Sequence, residues 1–248
     1  MLMTVIGKDT SASSYGELAG IRVLITGISP TAGVDVARAF ADHRGRLIVH
    51  ASAASPENDV VATLLAQTAS EIELFTGAYT DAKSATRFAQ TAAQKFGGLD
   101  AIINLIPISA TEIANRARLE DIEELLAQKL ELPLVVSRVV ANRMKLLLTE
   151  GLVLNVVTMP APRSAAEAAI AGIVRTALAE MTRGEAERLT ADRIRVNAIG
   201  PRADAPEAGA CLASEPDIAA LALYLASKRG RTLTGHIFDA AGVAARRC

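Results

Sequence analysis

Aromatic residues make up only 3% of this 248-residue chain, tryptophan is absent, and there are two cysteines. A core without large rings must be built from Ala, Val, Leu and Ile, which suits helices lying close against a sheet. With half of its residues hydrophobic, the chain has enough apolar mass for one large core. This favours an α/β domain over an all-β one. Cys211 and Cys248 supply neither a disulfide framework nor a metal-ligand set, and they suit a reducing cytoplasm. An excess of either charge is missing too. With 26 Lys and Arg against 27 Asp and Glu and no long block of either sign, the chain lacks the electrostatic footprint of nucleic-acid or anionic-membrane binding. Residues 1–20 have no basic region or long apolar run and read as a mobile or lightly docked N-terminal extension to a domain over 21–248. The most apolar region, Leu132 to Met159, is interrupted by Arg138, Arg143, Lys145 and Glu150, which excludes a membrane span.

What is present is a rhythm. Short β-branched runs at 21–26, 46–51, 71–76, 101–104, 152–158, 193–199 and 236–240 alternate with helical patterns near 33–43, 57–70, 82–96, within 118–148, 163–182 and 215–227. Seven strands with crossover helices predict a single α/β domain. Its parallel sheet is doubly wound, with helices on both faces and a ligand site beyond the strands' carboxyl ends.

The segment VLITGISPTAGVDVARAFADHRGRLIVHAS places Thr26, Gly27 and Gly33 at three fixed positions of a TGxxxGxG turn, with Thr31 in place of the middle glycine. KFGGLDAIIN, GLVLNVVT, AAIAGIVRTALAEM, RIRVNAIGP and DIAALALYLAS follow in order. By this series the chain resembles the short-chain dehydrogenase/reductase family, and within it the 3-oxoacyl-carrier-protein reductases, without their YxxxK motif. The resemblance implies a Rossmann-type fold, a nicotinamide cofactor (NAD or NADP) and no metal. It also implies association of the Ala-rich helix around Ala165, Ala166, Ala169 and Gly172 with a second subunit, either another copy or an active relative. The same small residues would equally serve packing on the sheet.

At the implied cofactor site, Gly27, Gly33, Asn104 and Pro201 line the crevice or serve turns and close packing alone. The second strand ends in His50, Ala51 and Ser52, so Ala51 stands where a ribose-binding acid belongs, and no Arg or Lys follows before Lys83. Neither NAD nor NADP is signalled. Ala78 replaces the adenine-binding Asp, and its neighbour Tyr79 either stacks on a base or packs under a loop. The NNAG turn reads Asn104, Leu105, Ile106, Pro107. His50 reads as a solvated turn residue.

Carbonyl reduction as the resemblance implies it needs a Tyr acid, a Lys that stabilises the phenolate, a Ser that orients the carbonyl and an Asn in the proton relay. Arg163 stands for Tyr, Glu167 for Lys, Thr158 for Ser, and Lys129 or a neighbour for Asn. A guanidinium does not give up a proton, and a carboxylate beside a phenol raises its pKa. Arg163 and Glu167, four apart, read instead as an ion pair on one helix face. The segment from Pro201 to Glu215 is too short for a substrate lid, which argues independently against reduction. The expectation is a catalytically impaired member acting through assembly. The alternatives are an NAD(P)-dependent oxidoreductase with an atypical site and a nucleotide or metabolite sensor.

Overall fold

The computed structural model describes residues 15–114, 116, 118–201 and 215–239. Seven parallel strands form one sheet in the order β3-β2-β1-β4-β5-β6-β7. They are β1 (Arg22–Thr26), β2 (Arg46–Ala51), β3 (Glu71–Thr76), β4 (Ala101–Pro107), β5 (Leu152–Thr158), β6 (Arg195–Gly200) and β7 (Ile237–Asp239). This is the doubly wound Rossmann-like domain expected. Its strand order reverses between β1 and β4, which opens a crevice at their carboxyl ends.

The two-residue period of each strand sorts its side chains onto two helical layers. Val23 and Ile25 of β1, Leu47 and Val49 of β2, and Ile103 of β4 pack with α1 (Val34–Asp42), α2 (Pro56–Leu65) and α8 (Glu215–Ala226). Leu24, Ile48, Ile102 and Val153 face α3 (Ala82–Gln94) and α6 (Leu132–Leu146). Val157 and Ile106 face α7 (Ala165–Leu189), beside the short α4 (Ala110–Ile113) and α5 (Leu119–Leu126). Four of the five alanines of α3, Ala85, Ala89, Ala92 and Ala93, are buried. Small side chains replace the missing aromatics by letting helix and sheet approach closely.

The structure departs from the sequence pattern in three places. The long helix predicted within 118–148 contains a π-helical turn, Ala127–Glu131. Pro133 has no N–H to donate to the carbonyl four residues back, that of Lys129, and its ring crowds that carbonyl, so the helix widens there. α7 runs past residue 182 because Thr182, Ala186 and Leu189 keep a buried stripe while Gly184 faces open space. β4 extends to Pro107, which lies opposite Thr158, a strand-end position where the absent N–H interrupts nothing. Of the expected N-terminal extension, the described part is docked: Leu18 is buried and Arg229 lies over the ring of Tyr15. Cys211, Cys248 and the short segment after Pro201 lie outside the described residues. No described helix is long and apolar enough to cross a membrane.

Candidate functional site

Four polar side chains form a row across the sheet near its carboxyl edge. Parallel register sets His50 opposite Thr26, Thr26 opposite Asn104, and Asn104 opposite Asn155, all on the α3/α6 side. Asn104 is fully buried. Its amide donates to Ser137 Oγ and to Asn155 Oδ1, both at 2.7 Å, and its carbonyl accepts the Thr26 hydroxyl at 2.9 Å. Both amide hydrogens and one acceptor site are therefore engaged inside the protein. Asn104, a candidate cofactor residue, joins β1, β4, β5 and α6.

Tyr79 stacks on both His50 (ring centroids 5.0 Å apart) and Phe88 (5.4 Å), which touch each other at 4.6 Å, so that the three rings form one cluster. Burial holds its phenol above the ordinary pKa, opposed by a hydrogen bond with the Thr26 side chain. Tyr79 is half-buried and lines, with Thr76, Ser84 and Arg87, an open cavity of ≈ 320 Å³. His50 is buried, not solvated as the sequence suggested, because it lies on the inner face of β2 beneath α3. Its Nε2–H donates to the Gly77 carbonyl at 2.9 Å, which leaves Nδ1 an acceptor, buried and unpartnered. Burial depresses its pKa. Ala51 is buried and Ser52 exposed at the strand's end.

The glycine turn lies on the opposite side of the sheet. Gly27 and Gly33 both have positive φ, 77° and 85°. A Cβ on Gly27 would lie 2.1 Å from the Leu105 carbonyl oxygen, and one on Gly33 would lie 2.2 Å from Leu105 Cδ1. Leu105 is therefore packed against both glycines, its backbone carbonyl against Gly27 and its side chain against Gly33. Between them, Ser29 and Ala32 exchange two backbone hydrogen bonds and close the loop. Gly33 caps α1, whose first intrahelical bond runs from Ala37 N–H to Gly33 O. The amide of Asp35 in the open first turn donates to Glu215 Oε1 at 2.8 Å. Burial holds the Glu215 carboxyl above its usual range and the Asp35 carboxylate adds to this, against the lowering effect of the Asp35, Gly33 and Val36 amides. Glu215 gave no local sequence signal, because its partner is 180 residues away.

A third group surrounds the ends of β4 and β5. Thr158, Lys129, Ser109, Glu112 and Met159 line an open cavity of ≈ 270 Å³. Lys129, placed by the π turn, binds Glu112 Oε1 at 2.6 Å and donates to the Pro107 carbonyl at 3.0 Å. Burial raises the Glu112 carboxyl, but Lys129 and the Ser109 amide and hydroxyl outweigh it and hold the group below its ordinary range. Thr158 and Lys129 are thus brought together. Arg163 and Glu167 do not line that cavity. The ion pair expected between them does not form, because Arg163 precedes α7 and is not on the helix. Glu167 Oε2 accepts the backbone N–H of Arg163 at 2.7 Å, while Ser164 Oγ caps the Glu167 amide at 3.2 Å, a helix-start arrangement close to a capping box. Pro201 is buried, and its carbonyl accepts from Arg175 at 3.1 Å. No group of three metal-ligating side chains occurs among the described residues.

A family model described as short chain dehydrogenase matches residues 22–208. The chain is similar in structure to a short-chain type dehydrogenase/reductase from Mycobacterium marinum, at 21% identity and TM-score 0.74, covering 92% of this chain and 96% of that one. The NADH-dependent reductase A1-R′, solved as a complex with NAD, is 18% identical with TM-score 0.74, over 90% and 96%. A short-chain dehydrogenase/reductase from Serratia marcescens is 20% identical with TM-score 0.69, over the same shares. At these identities the likeness is one of fold. No curated protein matches the chain.

The buried row yields two expectations. Asn104→Leu should lower stability by about 3 kcal/mol, since Thr26, Ser137 and Asn155 each lose a partner. A thermal melt should show Tm falling by roughly 10 °C, and an unchanged Tm would mean that the network is idle. For His50, the depressed pKa means that the unfolded chain takes up the proton first as pH falls below about 6.5. Its stabilising contribution is present above that pH and lost as pH falls toward the native value. Urea unfolding at pH 7 and pH 5 should therefore show a larger loss for the wild type than for His50→Gln, which keeps a donor for Gly77. Parallel losses would refute the assignment.

Proposed function

Since the chain belongs to the short-chain dehydrogenase family, we propose that it keeps the family's scaffold as an assembling subunit and does not carry out carbonyl reduction. One observation carries this reading: the residue at the family's Lys position, Glu167, is engaged as a helix cap, and the residue at the Tyr position, Arg163, is exposed ahead of the helix. A proton donor for a carbonyl needs a phenol or an equivalent acid, with a cation to lower its pKa. Here the position of the acid holds a permanent cation and the position of the cation holds an acid. Tyr79 and Tyr224 offer no rescue, being respectively stacked under the β2 end and on α8.

Assembly is supported by the outer face of α7. Ala165, Ala166, Ala169 and Ile173 are exposed and Gly172 is half-buried, so of the two uses open to these small residues, packing on the sheet is not theirs. A stripe of small and apolar residues facing outward lets a second helix approach closely. The partner in this reading is a second copy or a related active subunit.

A second reading, an NAD- or NADP-dependent oxidoreductase with an altered site, is favoured by the shared cavity of Thr158 and Lys129. There a hydroxyl and a cation stand within one small volume, and the carbonyl of a substrate could be polarised by the Lys129 ammonium.

Two measurements separate these readings. The purified chain, given NADH or NADPH with acyl thioester, ketone and aldehyde substrates, should consume the dinucleotide no faster than buffer; turnover clearly above it would establish the second reading. Light scattering at micromolar concentration should give a dimer or larger species that Ala169→Arg reduces to a smaller one with little change in Tm. A monomeric wild type would remove self-assembly from the proposal.

A further inference from the structure

In a sheet of this topology a dinucleotide's phosphates are held at the N-terminus of the first helix, where free amides and the helix dipole favour negative charge and the glycine turn lets the ligand approach the backbone. The residues present here do not fit that group. The position above both glycines is taken by Leu105, whose carbonyl oxygen and Cδ1 lie 2.1 Å and 2.2 Å from where a Cβ on Gly27 or Gly33 would stand. The glycines are thus required by the protein's own chain. The turn that would wrap the ligand is closed on itself through Ser29 and Ala32. The open first turn of α1 is not available either. Its Asp35 amide already binds a carboxylate, that of Glu215, and the Asp35 side chain adds a second negative charge at the same end.

We propose that the Glu215 carboxylate is a built-in anion for the N-terminus of α1, filling with Leu105 the cradle of a dinucleotide's phosphates, so that the chain leaves nicotinamide dinucleotides unbound. The contact has the chemistry of the ligand it replaces. A carboxylate oxygen accepts from the same kind of open amide that a phosphate oxygen would, and it is delivered by α8, which packs along α1 through Ile218, Ala219 and Ala222 in the same core as Val36, Ala37 and Phe40. Because the anion is tethered to a packed helix, no ordering cost recurs each time it seats, and a free anion of similar charge must displace it against that advantage. An entering pyrophosphate would also meet two carboxylates at a point where the fold ordinarily presents only amides, and like charges at one helix N-terminus oppose each other.

This proposal is separate from the reading of Arg163 and Glu167, since a chain could bind a dinucleotide and still fail to reduce a carbonyl. The probe that reads the cradle alone is inorganic pyrophosphate, which needs the α1 amides but no ribose or adenine contacts. Calorimetric titration of the wild type with pyrophosphate, NAD and NADH at millimolar concentration should give no binding heat. Glu215→Gln and Glu215→Ala, checked for folding by circular dichroism, should bind pyrophosphate at least about tenfold more tightly than the wild-type limit. Two results overturn the proposal: saturable binding of NAD or NADH by the wild type, or folded variants of both kinds that take up pyrophosphate no better than the wild type. Should both variants fail to fold, the wild-type titration still decides. NADH binding without turnover would overturn this proposal and leave the reduction reading standing, whereas turnover would overturn both.

Discussion

The buried carboxamide of Asn104 ties four elements of the fold to one another. Its three hydrogen bonds reach β1 through Thr26, β5 through Asn155 and α6 through Ser137, so the register of three strands and the seating of one helix depend on a single planar group. Unpaired, each of these polar groups would cost about 1–3 kcal/mol in the sheet's interior, which makes a one-residue slip of β4 prohibitive. The alternation of a strand then decides the next residue. With Asn104 pointing to the α3/α6 layer, Leu105 must point to the α1 layer, and there it meets Gly27 and Gly33. The glycine turn and the polar row are one constraint seen from the two sides of the sheet.

That coupling explains what the sequence made legible. The seven strands, their parallel arrangement and the two helical layers follow from hydrophobic periods that local residues set, and they were readable from runs such as RLIVHA and EIELFT. Departures occurred where a distant or backbone-level effect prevailed. The π turn follows from Pro133 acting on the carbonyl of Lys129. The continuation of α7 past 182 depends on buried Ala186 and Leu189 and on Glu185, which binds Arg138 and Arg188. Arg163 and Glu167 have ion-pair spacing only if both lie on the helix, and the Ser164 cap starts the helix at Ala165, two residues too late for that. A strand end such as that of His50 is usually solvated, yet the residue's parity puts it under α3.

The site was legible as substitutions and illegible as contacts. That the resemblance implies a different chemistry at the positions of Arg163, Glu167, Ala51 and Ala78 needs only the order of residues. That Leu105 packs against both glycines needs the strand parity and the distance across the β1–β4 gap, and that Glu215 reaches α1 needs the packing of two helices far apart in sequence. Lys129 is an intermediate case. The resemblance puts the family's Asn position on Lys129 or beside it, and the π turn supplies the physical reason Lys129 points at the ends of β4 and β5, toward Pro107 and Glu112.

An unliganded helix N-terminus is a problem in itself. The first amides of α1 precede its first internal hydrogen bond, and one that is partly shielded from water must find an acceptor elsewhere or carry an uncompensated cost. A chain that binds phosphate meets this cost with its ligand. A chain that does not must meet it with its own atoms, and a carboxylate from the neighbouring helix is an economical choice because it also ties α8 to α1. Burial and the nearby Asp35 keep that carboxyl above its usual pKa, so the tie is not a strong one by charge alone. Its persistence rests on the apolar contact of α1 with α8, in which Phe40 and Ala222 are fully buried. In this part of the molecule hydrophobic packing holds the anion in place, not the reverse. A substitution that loosens the α1–α8 contact would therefore open the α1 N-terminus as surely as removal of the carboxylate.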